Sequence, residues 1–180
     1  YELGSTFKIF PVAQAMDLKL VNPNTHINSS SPMKIGKYSI NDYHNYGPSL
    51  SVADIIVKSS NVGTVRIAQM IGVERQKEFL EKLGFFAPTT IEMVEAPTGK
   101  PIVPGRWPAV TAATVSFGHG LAASPLHLAS AYATLANGGR TSPVAGPVRP
   151  ARAAVPQFTR ALAAGAAFIV GDILSAGNAR

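Results

Sequence analysis

The feature that most constrains the fold is a run of apolar residues close to the start of the chain. Between Phe7 and Met16 the apolar side chains recur at helical spacing, and Gly4 and Ser5 immediately before them are typical helix-start residues. The pattern predicts a buried helix from about Ser5 to Leu18. Other elements must therefore pack around it.

Ser5 and Lys8 place a hydroxyl and an amine three residues apart at the start of this helix. On a helix this spacing puts both side chains on one face. A serine nucleophile needs a base to accept its proton, and a lysine can be that base once burial lowers its pKa. The apolar neighbours Phe7 and Ile9 could supply the burial. The spacing alone is not specific, because Ser31 and Lys34 repeat it.

A second polar cluster, Ser59-Ser60-Asn61, falls between two predicted helices. On such a turn the first serine and the asparagine can direct a hydroxyl and an amide toward a common cleft. A similar triplet, Ser39-Ile40-Asn41, lies with Ser31 in a polar loop. Ser5 opens a long apolar helix and Ser59 joins two helices, so we assign the chemistry to these two and a structural role to Ser31 and Ser39.

The rest of the chain predicts one domain, whose final helix follows a linker-like segment and belongs to the same domain. Val21 to Pro48 is rich in turn residues and predicts a loop region with a small hairpin near Lys34 to Ile40. Start and stop signals predict further helices over about 51–58, 62–71, 74–83 and 125–137. We therefore expect a domain over residues 1–140, a Pro/Ala/Arg-rich linker-like segment over 141–156 and a C-terminal helix within 157–180.

Composition excludes several classes of protein. A content of 46% hydrophobic and 14% charged residues is typical of a globular domain. Cysteine is absent and the four histidines lack metal-ligand spacing, so neither disulfides nor a metal site is predicted. The net charge of +6 comes largely from arginines in the last quarter, which does not indicate a nucleic-acid partner. The longest apolar run, Ala161 to Val170, is shorter than the roughly 20 residues of a membrane helix.

Three motifs together resemble a known family. They are Tyr1-Glu2-Leu3-Gly4-Ser5-Thr6-Phe7-Lys8, Lys58-Ser59-Ser60-Asn61-Val62-Gly63, and Ser116-Phe117-Gly118-His119-Gly120 with Ser124-Pro125-Leu126. In this order and rough spacing they are similar to the transpeptidase domain of class B penicillin-binding proteins, and most similar to the septal cell-division type. The resemblance implies the α/β fold of penicillin-binding proteins and serine β-lactamases, an antiparallel sheet flanked by helices.

The resemblance implies a peptidoglycan D,D-transpeptidase at the periplasmic face of a bacterial inner membrane. Ser5 would attack the carbonyl between the two terminal D-alanines of a stem peptide, and Lys8 would be its base. Ser59 would relay a proton to the leaving D-alanine, and Asn61 would orient Lys8 and the substrate amide. The residues implied in substrate binding are Ser60, Ser116, Gly118, His119 and Gly120. Stem peptides, β-lactams and divisome proteins are the implied partners, with no cofactor.

Two features depart from the family pattern. The Lys-Thr/Ser-Gly motif of the substrate-binding strand has no match in the chain and is expected beyond Arg180. The tail, Ala167 to Ser175, resembles the bifunctional class A proteins. We therefore expect a mainly helical fragment with a few short strands, lacking most of the central sheet and inactive by itself. Without its covering strands, Phe7, Phe10 and Val12 would be partly exposed and Lys8 would return to water.

Two other functions use the same serine and lysine. A β-lactam sensor is acylated and signals without cross-linking, whereas a serine β-lactamase releases the hydrolysed drug rapidly. Persistent acylation without cross-linking would indicate the sensor, and rapid turnover of the drug would indicate the lactamase.

Overall fold

The computed structural model describes residues 1–88, 100–141 and the single residues 166, 172 and 173. In chain order the elements are a 3-10 turn (Gly4–Phe7), α1 (Ile9–Asp17), β1 (His26–Asn28), β2 (Met33–Ile35), β3 (Tyr38–Ile40), β4 (Ser49–Ser51), α2 (Val52–Val57), α3 (Asn61–Ile71), α4 (Val73–Lys82), α5 (Ala109–Ser116) and α6 (Pro125–Ala136). The described part is thus mainly helical with a few short strands, as predicted.

The predicted buried helix is present, but its first turn is a 3-10 turn and α1 follows. Every residue from Ile9 to Met16 is buried, because α1 packs against α3 and α4. Phe7, Phe10 and Val12 are 1%, 0% and 0% exposed. The expectation that these three side chains would be partly exposed is therefore wrong, since the helices of this chain cover them without further strands.

An aromatic cluster fixes the end of α1 that lies next to Ser5. The rings of Phe7, Phe10 and Phe85 meet edge to face, with centroids 5.2 to 5.5 Å apart. Tyr132 of α6 adds a fourth ring, 5.4 Å from Phe10. Such edge-to-face contacts add to the stabilisation that a core gains from burying apolar surface. The turn that carries Ser5 is thus attached to the main hydrophobic core through Phe7.

The loop region contains two small antiparallel sheets. The predicted hairpin is formed by β2 and β3, with Met33 opposite Ile40 and Ile35 opposite Tyr38. The second sheet pairs β1 with β4, so the loop between them returns to the start of α2. This arrangement brings residues 41 and 42, at the end of the hairpin, beside the start of α3.

Capping residues set the starts of the predicted helices. Ser51 caps α2, and its hydroxyl accepts a hydrogen bond from the Asp54 amide at 3.0 Å. Ser124 caps α6, where His127 completes a reciprocal capping box. The sequence does not predict the helix α5. It packs against α3, and the chain leaving it forms the Ser116–Gly120 turn.

Most of the tail lies outside the described residues. Of the predicted linker-like segment and C-terminal helix, the structure describes Thr141, Ala166, Asp172 and Ile173. Ala166 and Ile173 are buried in the main core. The boundaries at 141–156 and 157–180 and the class A resemblance remain predictions. Within the described ranges, no helix is long and apolar enough to cross a membrane.

Candidate active site

Ser5 lies in the 3-10 turn, exposed to solvent, at the start of the buried α1 segment. In 3-10 geometry, residues three apart lie on the same side of the turn, so Ser5 and Lys8 share a face. Among the described residues, the Ser5 hydroxyl has no hydrogen-bond partner, and neither hydrogen bond of the Lys8 ammonium goes to it. The position of Ser5 is thus set by its backbone.

Lys8 is buried, with 3% of its surface exposed, and its ammonium is held by Ser59. The Nζ atom donates to the Ser59 hydroxyl at 2.8 Å and to the Ser59 carbonyl at 2.5 Å. An ammonium has three donors, and within the described part of the chain the third makes no hydrogen bond. One N–H of the Lys8 ammonium is therefore available to a further acceptor.

Burial lowers the pKa of Lys8 to about 8, from an ordinary value of 10.5. Desolvation of the ammonium is the main cause, and the negative charge of Asp42 opposes it. The expectation that Lys8 would return to water is therefore wrong. A substantial fraction of this amine is neutral at slightly alkaline pH, as a general base requires.

The turn between α2 and α3 places Ser59 and Asn61 differently. Ser59 has a φ of +56°, which is uncommon for a residue other than glycine, and this backbone turn directs both its carbonyl and its hydroxyl to Lys8. The side-chain amide of Asn61 donates to the Asn41 carbonyl at 2.8 Å, and Asn61 makes no hydrogen bond with Lys8 in the described structure. Asn61 thus borders the site without a hydrogen bond to the lysine.

Ser60 has a structural role rather than the predicted contact with substrate. It is 0% exposed, and its hydroxyl accepts from the Gly63 amide at 2.9 Å as the cap of α3. The same hydroxyl donates to Asp42 at 2.6 Å. Because this side chain is fully buried and its hydroxyl is bonded within the protein, the structure contradicts the predicted substrate contact of Ser60.

Asp42 contributes to the site although the sequence does not predict a role for it. Its carboxylate accepts hydrogen bonds from the Ser60 hydroxyl and from the backbone amides of Asn61 and Val62, at 2.6, 2.5 and 3.0 Å. A carboxylate at this end of a helix is stabilised by the unpaired amides and the helix dipole. Asp42 thereby fixes the turn that presents Ser59 to Lys8.

The Ser116–Gly120 turn contains two buried residues, Ser116 and Gly118, and two exposed ones, His119 and Gly120. Ser116 is 2% exposed and its hydroxyl donates to the Ala113 carbonyl at 2.6 Å, so its substrate-binding assignment is also corrected. The Gly118 carbonyl accepts from the Gly4 amide at 3.0 Å, next to Ser5. His119 and Gly120 are exposed at the same rim. Contact of Gly118, His119 or Gly120 with substrate remains a prediction.

No group of three or more His, Asp or Glu side chains within the described residues could hold a metal ion. The residues brought together here supply a hydroxyl and a buried amine. An exposed serine, a lysine of lowered pKa and a second hydroxyl bonded to it form the parts of a serine acyl-transfer site.

Comparison with known proteins places this site in a family. Residues 1–146 match the penicillin binding protein transpeptidase domain. A probable peptidoglycan D,D-transpeptidase FtsI from Caulobacter vibrioides is 37% identical over 144 residues, covering 80% of this chain and 24% of the relative. A probable peptidoglycan D,D-transpeptidase PenA from Neisseria meningitidis is 38% identical over 143 residues, covering 79% of this chain and 24% of the relative.

A solved structure shows the same fold. The transpeptidase domain of Burkholderia pseudomallei penicillin-binding protein 3 superposes with a TM-score of 0.87 at 30% identity, covering 97% of this chain and 52% of that one. The chain spans about a quarter of the length of the curated relatives above. The match extends over all three motifs that carry the resemblance. This chain belongs to the penicillin-binding protein transpeptidase family.

Proposed function

We propose that this chain is part of a peptidoglycan D,D-transpeptidase that cross-links stem peptides through a serine acyl-enzyme. The relatives named as D,D-transpeptidases support the reaction class. The proposal is carried by one observation: Lys8 is buried, has a pKa lowered to about 8 and donates at 2.8 Å to Ser59, one turn after an exposed serine.

In the first half of the reaction, Ser5 attacks the carbonyl between the two terminal D-alanines. Neutral Lys8 accepts the hydroxyl proton as the new C–O bond forms. The tetrahedral intermediate then expels the terminal D-alanine, whose nitrogen receives a proton through Ser59. The remaining stem peptide is left as an ester on Ser5.

In the second half, the amine of a neighbouring stem peptide attacks this ester. The amine gives up its proton to Ser59 and Lys8 as the new peptide bond forms. The ester bond to Ser5 then breaks, and the Ser5 oxygen leaves with a proton returned by Lys8. Lys8 and Ser59 serve in both directions because their hydrogen bond lets a proton pass between them. Asn61, which borders the same turn, is proposed to contact an amide of the substrate.

The partners and location proposed for the whole protein follow from this reaction. Stem peptides are the substrate. β-Lactams acylate Ser5 because they imitate the D-alanyl end of the stem peptide. Peptidoglycan lies outside the inner membrane, so the domain works on the extracytoplasmic side. The motif resemblance to septal proteins favours a role in division with divisome proteins as partners.

Mapping the acylated serine by mass spectrometry tests this proposal. The full-length parent is incubated with penicillin and digested with trypsin, which separates the peptide ending at Lys8 from the peptide of residues 20–34. We expect the drug's mass on the first peptide, at Ser5, and an unmodified second peptide. Modification at Ser31 in place of Ser5, or no acylation of either peptide, would overturn the proposal.

A further inference from the structure

The turn after α5 holds the backbone that leads into Ser5. Gly4 donates its amide to the Gly118 carbonyl at 3.0 Å. The Glu2 carboxylate reaches the same turn with both oxygens: one accepts from the Gly120 amide at 2.8 Å and the other lies 3.0 Å from Nδ1 of His119. Two residues on the amino-terminal side of Ser5 are therefore tied to a segment more than 110 positions away in the sequence.

The contact between Gly118 and Gly4 is so close that only glycine fits. Gly118 has a φ of +87°, and a Cβ placed there would lie 2.1 Å from the Gly4 carbonyl oxygen and 2.6 Å from its nitrogen. These are backbone atoms and cannot rotate aside. Any side chain at position 118 must displace Gly4, and Ser5 follows it directly.

The chain after Ser5 is held as well. The Tyr132 hydroxyl of α6 donates to the Thr6 carbonyl at 2.7 Å, and the Thr6 hydroxyl donates to Leu3 at 2.6 Å. Within the described residues, the Ser5 hydroxyl itself has no hydrogen bond that could fix it. The location of the nucleophile therefore depends on how the backbone on either side is anchored.

We propose that Glu2 and Gly118 are positioning residues for acylation, which hold the Ser5 backbone at a fixed place relative to Lys8 and Ser59. This inference rests on the proposed function. The hydrogen bond from Gly120, followed by that from His119, lowers the pKa of Glu2 and favours the carboxylate. Glu2 and His119 are both about half exposed, so their contribution to global stability is small and their effect is on geometry.

A positioning role predicts a loss in the rate of acylation rather than in drug binding or folding. In the full-length parent, we expect Glu2→Ala to lower the acylation rate constant for a fluorescent penicillin by between about 10-fold and 10²-fold, because small misplacements of reacting groups have effects of that size. The dissociation constant of the non-covalent complex and the melting temperature should remain close to wild type. Glu2→Gln should restore most of the rate, because its amide oxygen still accepts from the Gly120 amide. Glu74→Ala, an exposed glutamate on α4, is the control.

Gly118→Ala tests the close contact with a second pair of variants. Gly84 has nearly the same φ, +86°, and nothing within 4 Å of its added Cβ, so Gly84→Ala introduces the same backbone strain without the collision. We expect Gly118→Ala to lose more acylation rate than Gly84→Ala at equal residual folding.

Several outcomes would overturn the positioning role. These are wild-type acylation by Glu2→Ala, no rescue by Glu2→Gln, or equal effects of the two glycine variants. A wild-type parent that is not acylated at all would overturn the proposed function and this inference together. An acylated wild type with an unaffected Glu2→Ala variant would overturn the inference alone.

Discussion

Replacing Lys8 with methionine is expected to lower the rate of acylation by penicillin by about 10² to 10⁴, the usual contribution of a positioned general base. Methionine approximates the apolar stem of lysine, so the buried volume is nearly kept while the amine is lost. The Ser59 hydroxyl and carbonyl lose their donor at the same time. Stopped-flow acylation of the full-length parent measures the loss.

Lys77→Met is the matched control for this change. Lys77 is a surface lysine of α4, paired with Glu74 at 3.5 Å, and the same substitution there should leave acylation near the wild-type rate. If Lys8→Met were acylated as rapidly as Lys77→Met, another group would have to take the proton of Ser5. Lys8 would then have a purely structural role.

The same amine should set the pH dependence of acylation in the wild-type protein. Only the neutral amine accepts a proton, so the rate should rise with pH, reach half its plateau near the pKa of about 8, and fall about tenfold per pH unit below pH 7. A rate profile measured between pH 6 and 10 checks this. A rate that still rises about tenfold per pH unit at pH 9 would show that the lysine is not desolvated when it reacts.

The parts of the fold that the sequence predicts correctly are those with local signals. The helix starts at Ser51 and Ser124 are marked by side chains that bond to amides three residues ahead, and the buried run from Phe7 to Met16 has one consistent period. The helix α5 lacks such marks. It follows Pro108 without a side-chain cap, and half of its residues are β-branched, so its packing on α3 determines that it forms.

The site shows the same division between local and distant contacts. Ser5 and Lys8 are close in sequence, and Ser59 was recognisable from its helix junction. Asp42 and Glu2 act across 18 and 118 positions, and nothing adjacent to either residue indicates a partner. From their motifs, Ser60 and Ser116 are predicted to bind substrate. The Ser60 hydroxyl instead bonds to Asp42 and a backbone amide, and the Ser116 hydroxyl bonds to a backbone carbonyl. Burial decides these roles, and a motif does not encode burial.

Asp42→Ala is expected to have the second large effect, because it releases the turn that presents Ser59 to Lys8. Three donors lose their acceptor: the Ser60 hydroxyl and the amides of Asn61 and Val62. Hydrogen bonds to a charged group contribute about 1.5–3 kcal/mol, so the unfolding free energy should fall by that order. With Ser59 free to shift by about an ångström, acylation should slow by about 10²-fold.

Asp54 offers a control with the same kind of bond at a different helix. Its carboxylate accepts from the Ser51 hydroxyl at 2.7 Å in the first turn of α2, and among the described residues it makes no hydrogen bond with Lys8 or Ser59. Asp54→Ala should therefore lower stability with little effect on the acylation rate of the folded protein. Its stability loss should be smaller than that of Asp42→Ala, because one donor loses its acceptor rather than three. If both variants slowed acylation equally, the effect of Asp42 would be one of folding alone.

Asp42→Asn separates the geometry of this carboxylate from its charge. The charge of Asp42 favours the ammonium form of Lys8, so removing it should lower the lysine's pKa below about 8. The acid limb of the rate profile then moves to lower pH. The plateau falls because asparagine keeps one acceptor oxygen for the two backbone amides and puts an NH₂ group, which cannot accept, opposite the Ser60 hydroxyl. Relative to wild type, the acylation rate of Asp42→Asn is thus expected to be reduced most at high pH and least at low pH. A limb that stays at its wild-type pH, or moves upward, would show that Asp42 does not act on Lys8 through its charge.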